Sequence, residues 1–375
     1  MMKRVCHFTS VHSPQDTRIY HKECRSLARR GYEVHLVAPM TGPSREQDGV
    51  FLHPVLAGRS RAARMTRTAF DTVRQARALN ASLYHFHDPE LLPYALALLQ
   101  GKPMVFDVHE HVALQLRNKE WLPARELASR VYAGLEMFLT KGRVRLVLAE
   151  ESYFEAYRRA DPRACVVLNY PIVNGSRAPA SHRASPARLV YLGTVARKRG
   201  INEMLETVRL LLDRGHAVTF DCIGPFPAKD EQHWFARAAE LRLGDRVRFH
   251  GRLDQPEAMR IVERASVGFC LLHPDPNYVR SYPTKAFEYM TAGIPFVLSN
   301  FPFYEERIGT ARCCVFTDPL DPAQTADAVA GLLGDPERAR QMGERGRKAV
   351  LERFCWASQE RGLLALYDEL IGPPS

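Results

Sequence analysis

The chain has 375 residues, of which 46% are hydrophobic and 25% charged, the composition of a globular protein long enough for two domains. No apolar run is long enough to span a bilayer, and the apolar start Val5–Val11 is too short and too polar for a signal peptide, so we expect a cytoplasmic protein. The formal net charge is +10, but no nucleic-acid-binding motif accompanies it, which argues against nucleic acid as a partner.

Strand and helix patterns alternate through the first half of the chain. The expected strands are Arg4–Thr9, Glu33–Ala38, Leu83–Phe86, Met104–Val108, Leu146–Leu148 and Cys165–Leu168. The expected helices are Asp16–Arg30, Ala63–Leu79, Pro89–Leu99 and Pro123–Thr140. This alternation predicts a parallel sheet with helices on both faces.

The alternation restarts after a segment rich in Pro, Ser and Ala, which we interpret as a linker. The expected strands are now Arg188–Leu192, Val218–Ile223, Val247–His250, Val267–Leu271, Phe296–Ser299 and Cys313–Phe316. The expected helices are Gly200–Arg214, Asp230–Leu241, Pro256–Arg264, Pro283–Ala292, Asp321–Leu333, Pro336–Arg353 and Trp356–Leu370. We therefore predict two doubly wound α/β domains, residues 1–170 and 188–353, facing across a cleft and joined by the linker 171–187, with residues 354–375 returning to the first domain.

The eight cysteines are scattered along the chain, and no two of them form a C-x-x-C pair. Most of them stand in apolar surroundings of the kind that buried strands provide. We therefore expect reduced thiols in the core, and the spacing gives no support for a structural zinc site.

A basic segment extends from Arg59 to Leu79, with six arginines and a single acid, Asp71. Its arginines alternate with apolar residues, a pattern that suits a solvated helix face or contact with anionic lipid. We expect that the part from Arg59 to Arg77 brings the protein to the inner face of the cell membrane as a peripheral protein.

The segment Arg280–Asn300 is the most informative stretch of the chain. Pro283 suits a helix start, Lys285 and Glu288 lie one turn apart on the helix, and Gly293 ends it. An amphipathic helix with a surface Lys–Glu pair explains these residues. Alternatively, the amides and the lysine at the helix start hold a diphosphate, and the carboxylate holds ribose hydroxyls.

A basic turn, LGTVARKRG, follows the first strand of the second domain. Gly193 allows the backbone to turn, and Arg197, Lys198 and Arg199 come directly before a helix start. Cations at that position face any anion in the cleft, although a solvated loop explains one or two of them.

Two histidine-rich segments follow neighbouring strands of the first domain. Asp107 and His109 come at the carboxyl end of a strand, and their order fits no standard zinc motif, so we expect a histidine that hydrogen-bonds substrate hydroxyls and no metal. In the other segment, Asp88 is placed to cap a helix and Glu90 to occupy its first turn, so we interpret both acids as structural.

Several common catalytic motifs are absent from the sequence. The loop after the first strand contains no glycine, whereas a dinucleotide-binding fold requires G-x-G-x-x-G there, so a nicotinamide or flavin cofactor is disfavoured. Neither a P-loop nor a nucleophile elbow is present.

Taken together, the segments SLARRGYEVHLVAP, HDPELL, DVHEH, LGTVARKRG and PTKAFEYMTAGIPFV resemble the family-4 glycosyltransferases. The resemblance covers nearly the whole chain and ends in a tail helix from Trp356 to Tyr367. It implies the GT-B fold of two Rossmann-like domains, with the first on the acceptor side, and a retaining transfer from a nucleotide sugar without any further cofactor.

The resemblance also implies roles for individual residues. His109 matches a histidine that contacts the donor sugar, Arg199 a basic residue that holds the diphosphate, and Glu288 the glutamate that binds ribose. We take these three as the catalytic set. The expected donor-binding residues are Gly193, Thr194, Lys198, Arg280, Tyr282, Thr284 and Lys285.

Three departures from the family pattern concern the phosphate contacts. Thr194 stands where many members have arginine, Arg280 stands in place of a glutamate, and the first loop reads PQDTR instead of a glycine-rich sequence. We expect Arg280, Arg18 or Lys198 to supply the charge that Thr194 lacks.

The expected function is transfer of a hexose from a UDP- or GDP-sugar to a glycan or lipid-linked acceptor in bacterial surface-polysaccharide synthesis. Two alternatives remain open at this point. One is a nucleotide-sugar epimerase of the same architecture, and the other is a protein that binds nucleotide sugars without catalysis.

Overall fold

A computed structural model describes residues 2–117, 122–173, 186–227 and 230–374. Most of the predicted linker falls on residues 174–185, outside this range. The chain divides into two compact units. The N-terminal unit comprises Met1–Asn169 and Trp356–Ser375, and the C-terminal unit comprises Tyr170–Cys355.

The N-terminal unit contains an eight-stranded sheet with the order β3-β4-β2-β1-β5-β6-β7-β8. All neighbouring strands are parallel except β3 and β4, which form an antiparallel hairpin at one edge. The strands are β1 (Arg4–Phe8), β2 (Glu33–Pro39), β3 (Arg45–Gln47), β4 (Val50–Val55), β5 (Leu83–Phe86), β6 (Met104–Val108), β7 (Arg145–Leu148) and β8 (Cys165–Val166).

Helices connect these strands. They are α1 (Arg25–Arg30), α2 (Arg61–Ala63), α3 (Ala69–Ala78), α4 (Leu92–Leu98), α5 (Val112–Arg117), α6 (Arg125–Thr140), α7 (Phe154–Tyr157) and the tail helix α15 (Trp356–Ile371). The π-helical turns Ile19–Cys24 and Arg64–Thr68 lead into α1 and α3. Alternate residues of β1 enter different cores, since Cys6 and Phe8 pack on one face of the sheet and Val5 on the other, where α15 also packs.

The C-terminal unit contains a six-stranded sheet with the order β11-β10-β9-β12-β13-β14, in which all neighbours are parallel. The strands are β9 (Ala187–Leu192), β10 (Val218–Ile223), β11 (Val247–Gly251), β12 (Val267–Cys270), β13 (Phe296–Ser299) and β14 (Cys314–Thr317). The helices are α8 (Ile201–Asp213), α9 (Glu231–Glu240), α10 (Gln255–Val262), α11 (Thr284–Ala292), α12 (Pro302–Arg307), α13 (Pro322–Gly334) and α14 (Pro336–Glu352). The two sheets confirm the predicted α/β class.

Some local predictions were wrong or incomplete. The first helical segment begins at Ile19 instead of Asp16, because the Asp16 carboxylate accepts hydrogen bonds from the backbone N–H groups of Arg18 and Ile19 and so starts the turn. The sequence patterns missed the hairpin β3–β4. Its turn residues, Asp48 and Gly49, both have positive φ, and Asp-Gly is a common sequence for such a hairpin turn.

The eight cysteines are all free, which confirms the prediction of reduced thiols. Among the helices that the structure describes, none is both long and apolar enough to cross a membrane.

Candidate functional site

Two glycine turns meet at the carboxyl ends of β9 and β10. Gly193 follows β9 and Gly224 follows β10, with φ values of 139° and 145°. A Cβ on Gly224 would lie 2.0 Å from the carbonyl oxygen of Gly193, so only glycine allows this approach. The Gly193 N–H donates to the carbonyl of Ile223 at 2.8 Å. Ligands of parallel sheets bind at such strand ends.

Helix α11 begins near the same turn. Pro283 lies just before its first residue, Thr284, and no described side chain caps the helix start. Thr284 is exposed, and Gly293 ends the helix in a left-handed conformation with φ of 70°, as predicted. The first-turn N–H groups give this end of the helix the positive partial charge that attracts anions.

Lys285, in the first turn of α11, is buried. Its Nζ has no hydrogen-bond partner among the described residues and lies 4.7 Å from the centroid of the Tyr191 ring. Burial, supported by the charge of Arg199, lowers the pKa of Lys285 from its usual 10.5 to about 8, while the charge of Glu288 acts in the opposite direction. The Tyr191 hydroxyl donates to the Thr194 carbonyl at 2.7 Å and so holds the turn above the lysine.

Arg199 and Lys285 both approach the Gly193 turn. A Cβ on Gly193 would lie 3.5 Å from Nη1 of Arg199 and 3.5 Å from Cε of Lys285. Arg199 ends the 3-10 turn Arg197–Arg199, which is followed by Gly200. A Cβ on Gly200 would lie 2.1 Å from the Leu271 carbonyl oxygen, so this glycine lets the turn pack directly against the backbone after β12.

Lys198 points to a different partner. Its Nζ donates to Oδ2 of Asp275 at 2.8 Å. Burial tends to raise the pKa of Asp275, but the hydrogen bonds from Lys198 and Asn277 and the charge of Lys198 together outweigh it, and the pKa is lowered. Lys198 is thus paired with an acid in this structure, and the expectation that it supplies the charge missing at Thr194 stays a prediction.

The other predicted donor-binding residues lie on or before α11. Glu288 is half-buried, one turn after Lys285. Arg280 is exposed in the turn that precedes the helix. The Tyr282 ring packs against Tyr170 and Phe303, with centroids 5.5 and 5.1 Å away, so it belongs to an aromatic cluster.

The predicted site residue of the N-terminal unit, His109, lies at the end of β6. Its Nε2 is 2.6 Å from Oδ2 of Asp107, which is fully buried. Arg18 donates to both oxygens of Asp107 at 2.8 Å. Burial alone would raise the pKa of Asp107, but Arg18 and the hydrogen bonds from His109 and His87 outweigh it and hold that pKa well below its usual value. The suggestion that the positive charge of Arg18 binds phosphate was wrong, because its buried guanidinium is paired with Asp107.

The predicted capping role of Asp88 was also wrong. Asp88 stands at the cap position, but its side chain does not cap the helix. Instead its Oδ2 accepts from the Thr9 hydroxyl and the Ser10 N–H, both at 2.6 Å, and its Oδ1 lies 3.1 Å from Nδ1 of His12. Glu90 lies in the first turn of the helix, as predicted, and also accepts from Nε of Arg64 at 2.9 Å.

Four buried ligand-type side chains cluster beneath His109. One ligand atom from each of Glu23, His85, His87 and Asp107 lies within 4.8 Å of the others. The Arg18 guanidinium is 3.2 Å from Glu23 and 2.8 Å from Asp107, and its positive charge disfavours a cation there. Burial and the charge of Asp107 raise the pKa of Glu23 well above its usual value, against the opposing charge of Arg18. Sequence patterns missed both Glu23, which stands in a polar helical segment, and Tyr191, which stands in an apolar strand.

Two family models match this chain. The model for glycosyl transferases group 1 matches residues 176–349, and the model for glycosyltransferase family 4 matches residues 17–160. The chain is 25% identical to a glycogen synthase of Mycobacterium tuberculosis over 301 residues, which cover 78% of this chain and 69% of the relative. It is 24% identical to a D-inositol 3-phosphate glycosyltransferase of Segniliparus rotundus over 370 residues, which cover 91% of this chain and 81% of the relative.

Solved structures share the fold. Sucrose-phosphate synthase from Thermosynechococcus elongatus superposes with a TM-score of 0.75 at 16% identity and covers 98% of this chain and 99% of its own. HepE from Anabaena, in complex with UDP, superposes with a TM-score of 0.73 at 13% identity and covers 98% and 100% of the two chains. The two family models and the shared fold confirm the resemblance: the chain belongs to the family-4 glycosyltransferases of the GT-B fold.

Proposed function

We propose that this glycosyltransferase moves a hexose, with retention of configuration, from a UDP- or GDP-sugar to a glycan or lipid-linked acceptor in bacterial surface-polysaccharide synthesis. The observation that carries the proposal is the buried ammonium group of Lys285, which has no hydrogen-bond partner in the described part of the chain and lies at a helix start beside Arg199. An ionisable group held in this way is typical of a binding site whose ligand supplies the counter-charge.

The donor diphosphate is proposed to bind at the start of α11. Helix amides near Thr284, the ammonium group of Lys285 and the guanidinium of Arg199 offer three kinds of donor to phosphate oxygens. Glu288, one turn further along the helix, is proposed to accept hydrogen bonds from the ribose hydroxyls. The glycine turn at Gly193 leaves room for the phosphates because no side chain stands there.

The ligands of structural neighbours support UDP as the first nucleotide to test. HepE from Anabaena has been solved in complex with UDP and with UDP-glucose. A trehalose-6-phosphate structure from E. coli carries UDP-2-fluoro glucose. These neighbours are 11 to 13% identical in sequence, so GDP stays in the proposal beside UDP.

The proposed reaction forms a bond from an acceptor hydroxyl oxygen to the sugar C1 and breaks the bond from C1 to the diphosphate oxygen. The nucleoside diphosphate leaves with the bonding electrons, and the hydroxyl proton passes to the departing phosphate oxygen. Cations fixed at that oxygen stabilise the charge that develops in the transition state, which is often the largest catalytic contribution. Arg199 and Lys285 are proposed for this role, and His109 is proposed to hydrogen-bond the transferred sugar.

The N-terminal unit offers surfaces for a lipid-linked acceptor at an anionic membrane. A groove of about 830 Å³ lies between the end of β4 and α3, and its lining includes Arg59, Arg67 and Arg74. The side chains of Arg67 and Arg74 are 87% and 70% exposed. On helix α6, an exposed apolar stripe is formed by Leu127, Val131, Leu135 and Phe138. Basic side chains beside apolar ones are the combination that binds anionic lipid.

The test is turnover of a panel of UDP- and GDP-hexoses with a membrane extract as acceptor, measured as release of nucleoside diphosphate and as labelled glycan. Wild type is expected to turn over one donor, and Glu288→Gln is expected to lower kcat/KM for that donor by at least about tenfold, since a hydrogen bond to a ribose hydroxyl is lost. Glu305→Gln changes an exposed acid of α12 and serves as the matched control. Unchanged turnover in Glu288→Gln would contradict the site.

The product separates the proposal from the two alternatives. An isomerised sugar nucleotide formed without acceptor would indicate an epimerase. Donor binding without release or transfer, in the presence of every acceptor fraction, would indicate a binding protein. Transfer of labelled hexose to an extractable lipid or glycan is the result that the proposal requires.

A further inference from the structure

The two cations at the Gly193 turn rest on tyrosine rings. The guanidinium carbon of Arg199 lies 5.8 Å from the centroid of the Tyr278 ring, and Nζ of Lys285 lies 4.7 Å from that of Tyr191. In the part of the chain that the structure describes, neither side chain forms an ion pair with a carboxylate. An aromatic ring attracts a cation but leaves its charge in place. The rings therefore hold two positive charges at the turn without neutralising them.

The neighbouring cation of the same turn, Lys198, is held in a different way. Its Nζ lies 2.8 Å from Oδ2 of Asp275, so a carboxylate offsets its charge. A carboxylate competes with phosphate for the N–H donors of a cation, whereas the face of a ring does not. Of the two adjacent side chains, Arg199 is therefore the one whose donors are open to an anion in this structure.

Arg199 and Lys285 repel each other across the turn. A Cβ on Gly193 would lie 3.5 Å from Nη1 of Arg199 and 3.5 Å from Cε of Lys285. Burial is the main cause of the lowered pKa of Lys285, and the charge of Arg199 lowers it further. This repulsion favours rotamers that take the half-buried Arg199 away from the turn into solvent. The ring of Tyr278 supplies an attraction that opposes it.

Tyr191 also contacts Arg199, but its effect is not confined to that residue. Burial raises the pKa of Tyr191 well above its usual value, while the charge of Arg199 and a hydrogen bond from it act in the opposite direction. The same tyrosine carries the ring beneath Lys285 and donates to the Thr194 carbonyl. Tyr278 is thus the ring that can be changed without removing the support of Lys285.

The loop that carries Tyr278 is fixed to the basic turn. The backbone N–H of His273 donates to the Lys198 carbonyl at 3.0 Å. Nε2 of His273 lies 3.0 Å from Oε2 of Glu203 in α8, the helix that follows the turn. The pair of Lys198 with Asp275 adds a third contact between the loop and the turn. These contacts keep the loop beside the turn.

The backbone of Tyr278 is itself held on both sides of its side chain. Its N–H donates to the Asp275 carbonyl at 2.8 Å, and its carbonyl accepts from the Tyr304 hydroxyl of α12 at 2.8 Å. The ring therefore has a defined place, and Arg199 is the side chain that meets it.

We propose that Tyr278 is a positioning residue for Arg199, which holds the guanidinium at the Gly193 turn beside Lys285 so that both cations are in place before a diphosphate binds. This inference rests on the proposed function for the contact of Arg199 with the diphosphate. The position of Arg199 in the free protein does not depend on that contact and is measurable without a ligand. Charges that are already in place require no rearrangement when the ligand arrives, which is the gain that the ring supplies.

The experiment compares Tyr278→Leu, which removes the ring, with Tyr278→Phe, which keeps it. Tyr278→Phe is the matched control, because no hydrogen bond from the Tyr278 hydroxyl is present among the described residues. Both changes are also made in Arg199→Met, where any effect that passes through Arg199 must disappear. Thermal unfolding checks that the variants fold, and Tyr278→Met takes the place of Tyr278→Leu if the leucine variant does not.

The first readout is the pKa of Lys285 in the free protein, measured by NMR titration of the chain labelled with 13C-lysine. Because the charge of Arg199 lowers this pKa, Tyr278→Leu is expected to raise it above its wild-type value of about 8, and Tyr278→Phe to leave it unchanged. The other groups that act on Lys285, namely Cys270, Cys222 and Glu288, are the same in all variants.

The Arg199→Met background separates this effect from a general loosening of the site. Water admitted by loss of the ring would raise the pKa of Lys285 in both backgrounds, whereas loss of Arg199 from the turn raises it only where Arg199 is present. An unchanged pKa in Tyr278→Leu, or an equal rise in both backgrounds, would overturn the proposal whether or not the protein binds a nucleotide.

The second readout is the affinity for UDP and GDP, measured by calorimetry. Tyr278→Leu is expected to weaken binding about fivefold, the size of a cation–ring contact, and Tyr278→Phe to stay within about twofold of wild type. In Arg199→Met the change to leucine should have no further effect, and an equal loss there would overturn the proposal. If wild type binds neither nucleotide, the proposed function fails, and the titration of Lys285 alone decides the role of Tyr278.

Discussion

The Nζ of Lys285 lies 4.7 Å from the centroid of the Tyr191 ring, and no described atom accepts a hydrogen bond from it. An ammonium group in such a place weakens the folded protein, because burial removes its hydration and the ring replaces only part of it. The same arrangement leaves all three N–H donors for a ligand. The lysine therefore connects the stability of the C-terminal unit to its proposed affinity for a diphosphate.

Replacing Lys285 by methionine is expected to stabilise the free protein. The lowered pKa corresponds to a contribution of about 3 kcal/mol against folding at pH 7, as an upper bound. Between pH 8 and 10.5 the unfolded chain binds a proton that the folded protein does not, so this contribution decreases as the pH rises through that window. Denaturant unfolding of Lys285→Met at pH 7 checks the sign, with the exposed Lys348→Met as the control. A less stable Lys285→Met would contradict the account.

Binding of UDP or GDP is expected to be coupled to proton uptake above pH 8. Lys285 is largely neutral there, and a bound diphosphate favours its charged form. Calorimetric titrations at pH 8.5 in two buffers of different ionisation enthalpy measure the uptake, which should nearly vanish at pH 7. Uptake of the same size in Lys285→Met would assign the proton to another group.

Replacing Gly224 by alanine is expected to disrupt the Gly193 turn, where the diphosphate is proposed to bind. The new Cβ would collide with the Gly193 carbonyl, whereas a Cβ on Gly215, which also has positive φ at 81°, meets nothing within 4 Å. Gly215→Ala should cost about 1 kcal/mol of unfolding free energy, the strain of a left-handed alanine alone. Gly224→Ala should cost clearly more and weaken nucleotide binding. Equal unfolding midpoints for the two variants would contradict the close approach of the two turns.

Contact with anionic membranes is expected to depend on the groove arginines and on α6. The double change Arg67→Glu with Arg74→Glu should reduce binding to vesicles that contain anionic lipid, and added salt should weaken wild-type binding. The same charge change at Arg260 and Arg338 of the C-terminal unit is the control. Leu135→Glu should also reduce binding. Co-sedimentation that is indifferent to salt and to anionic lipid would refute the membrane contact.

The sequence predicted those features that depend on local pattern. The apolar strands β5, β6 and β10 have their predicted bounds, and Gly293 ends α11 because a helix end in the left-handed region favours glycine. The meeting of Gly193, Arg199 and Lys285 also followed from local pattern, since parallel strands bring their carboxyl ends to one edge.

The sequence did not reveal the long-range partners. Nothing in the sequence around Asp88 indicates that Thr9 and Ser10 donate hydrogen bonds to its carboxylate. In the same way, nothing around Lys198 indicates that it pairs with Asp275. Periodicity reports which side chains are buried, but the identity of a partner far along the chain depends on the tertiary fold. For the same reason the contacts of His87 with His7 and Asp107 were missed, although His85 of β5 and His87 directly after it alternate as residues of a single face do.

The most direct test of the account is a crystal structure of the protein with UDP or GDP. We expect the diphosphate at the start of α11, with Nζ of Lys285 and the guanidinium of Arg199 within hydrogen-bond distance of phosphate oxygens and Glu288 on the ribose. A nucleotide bound elsewhere, with Nζ of Lys285 still against Tyr191 and touching no phosphate, would contradict it.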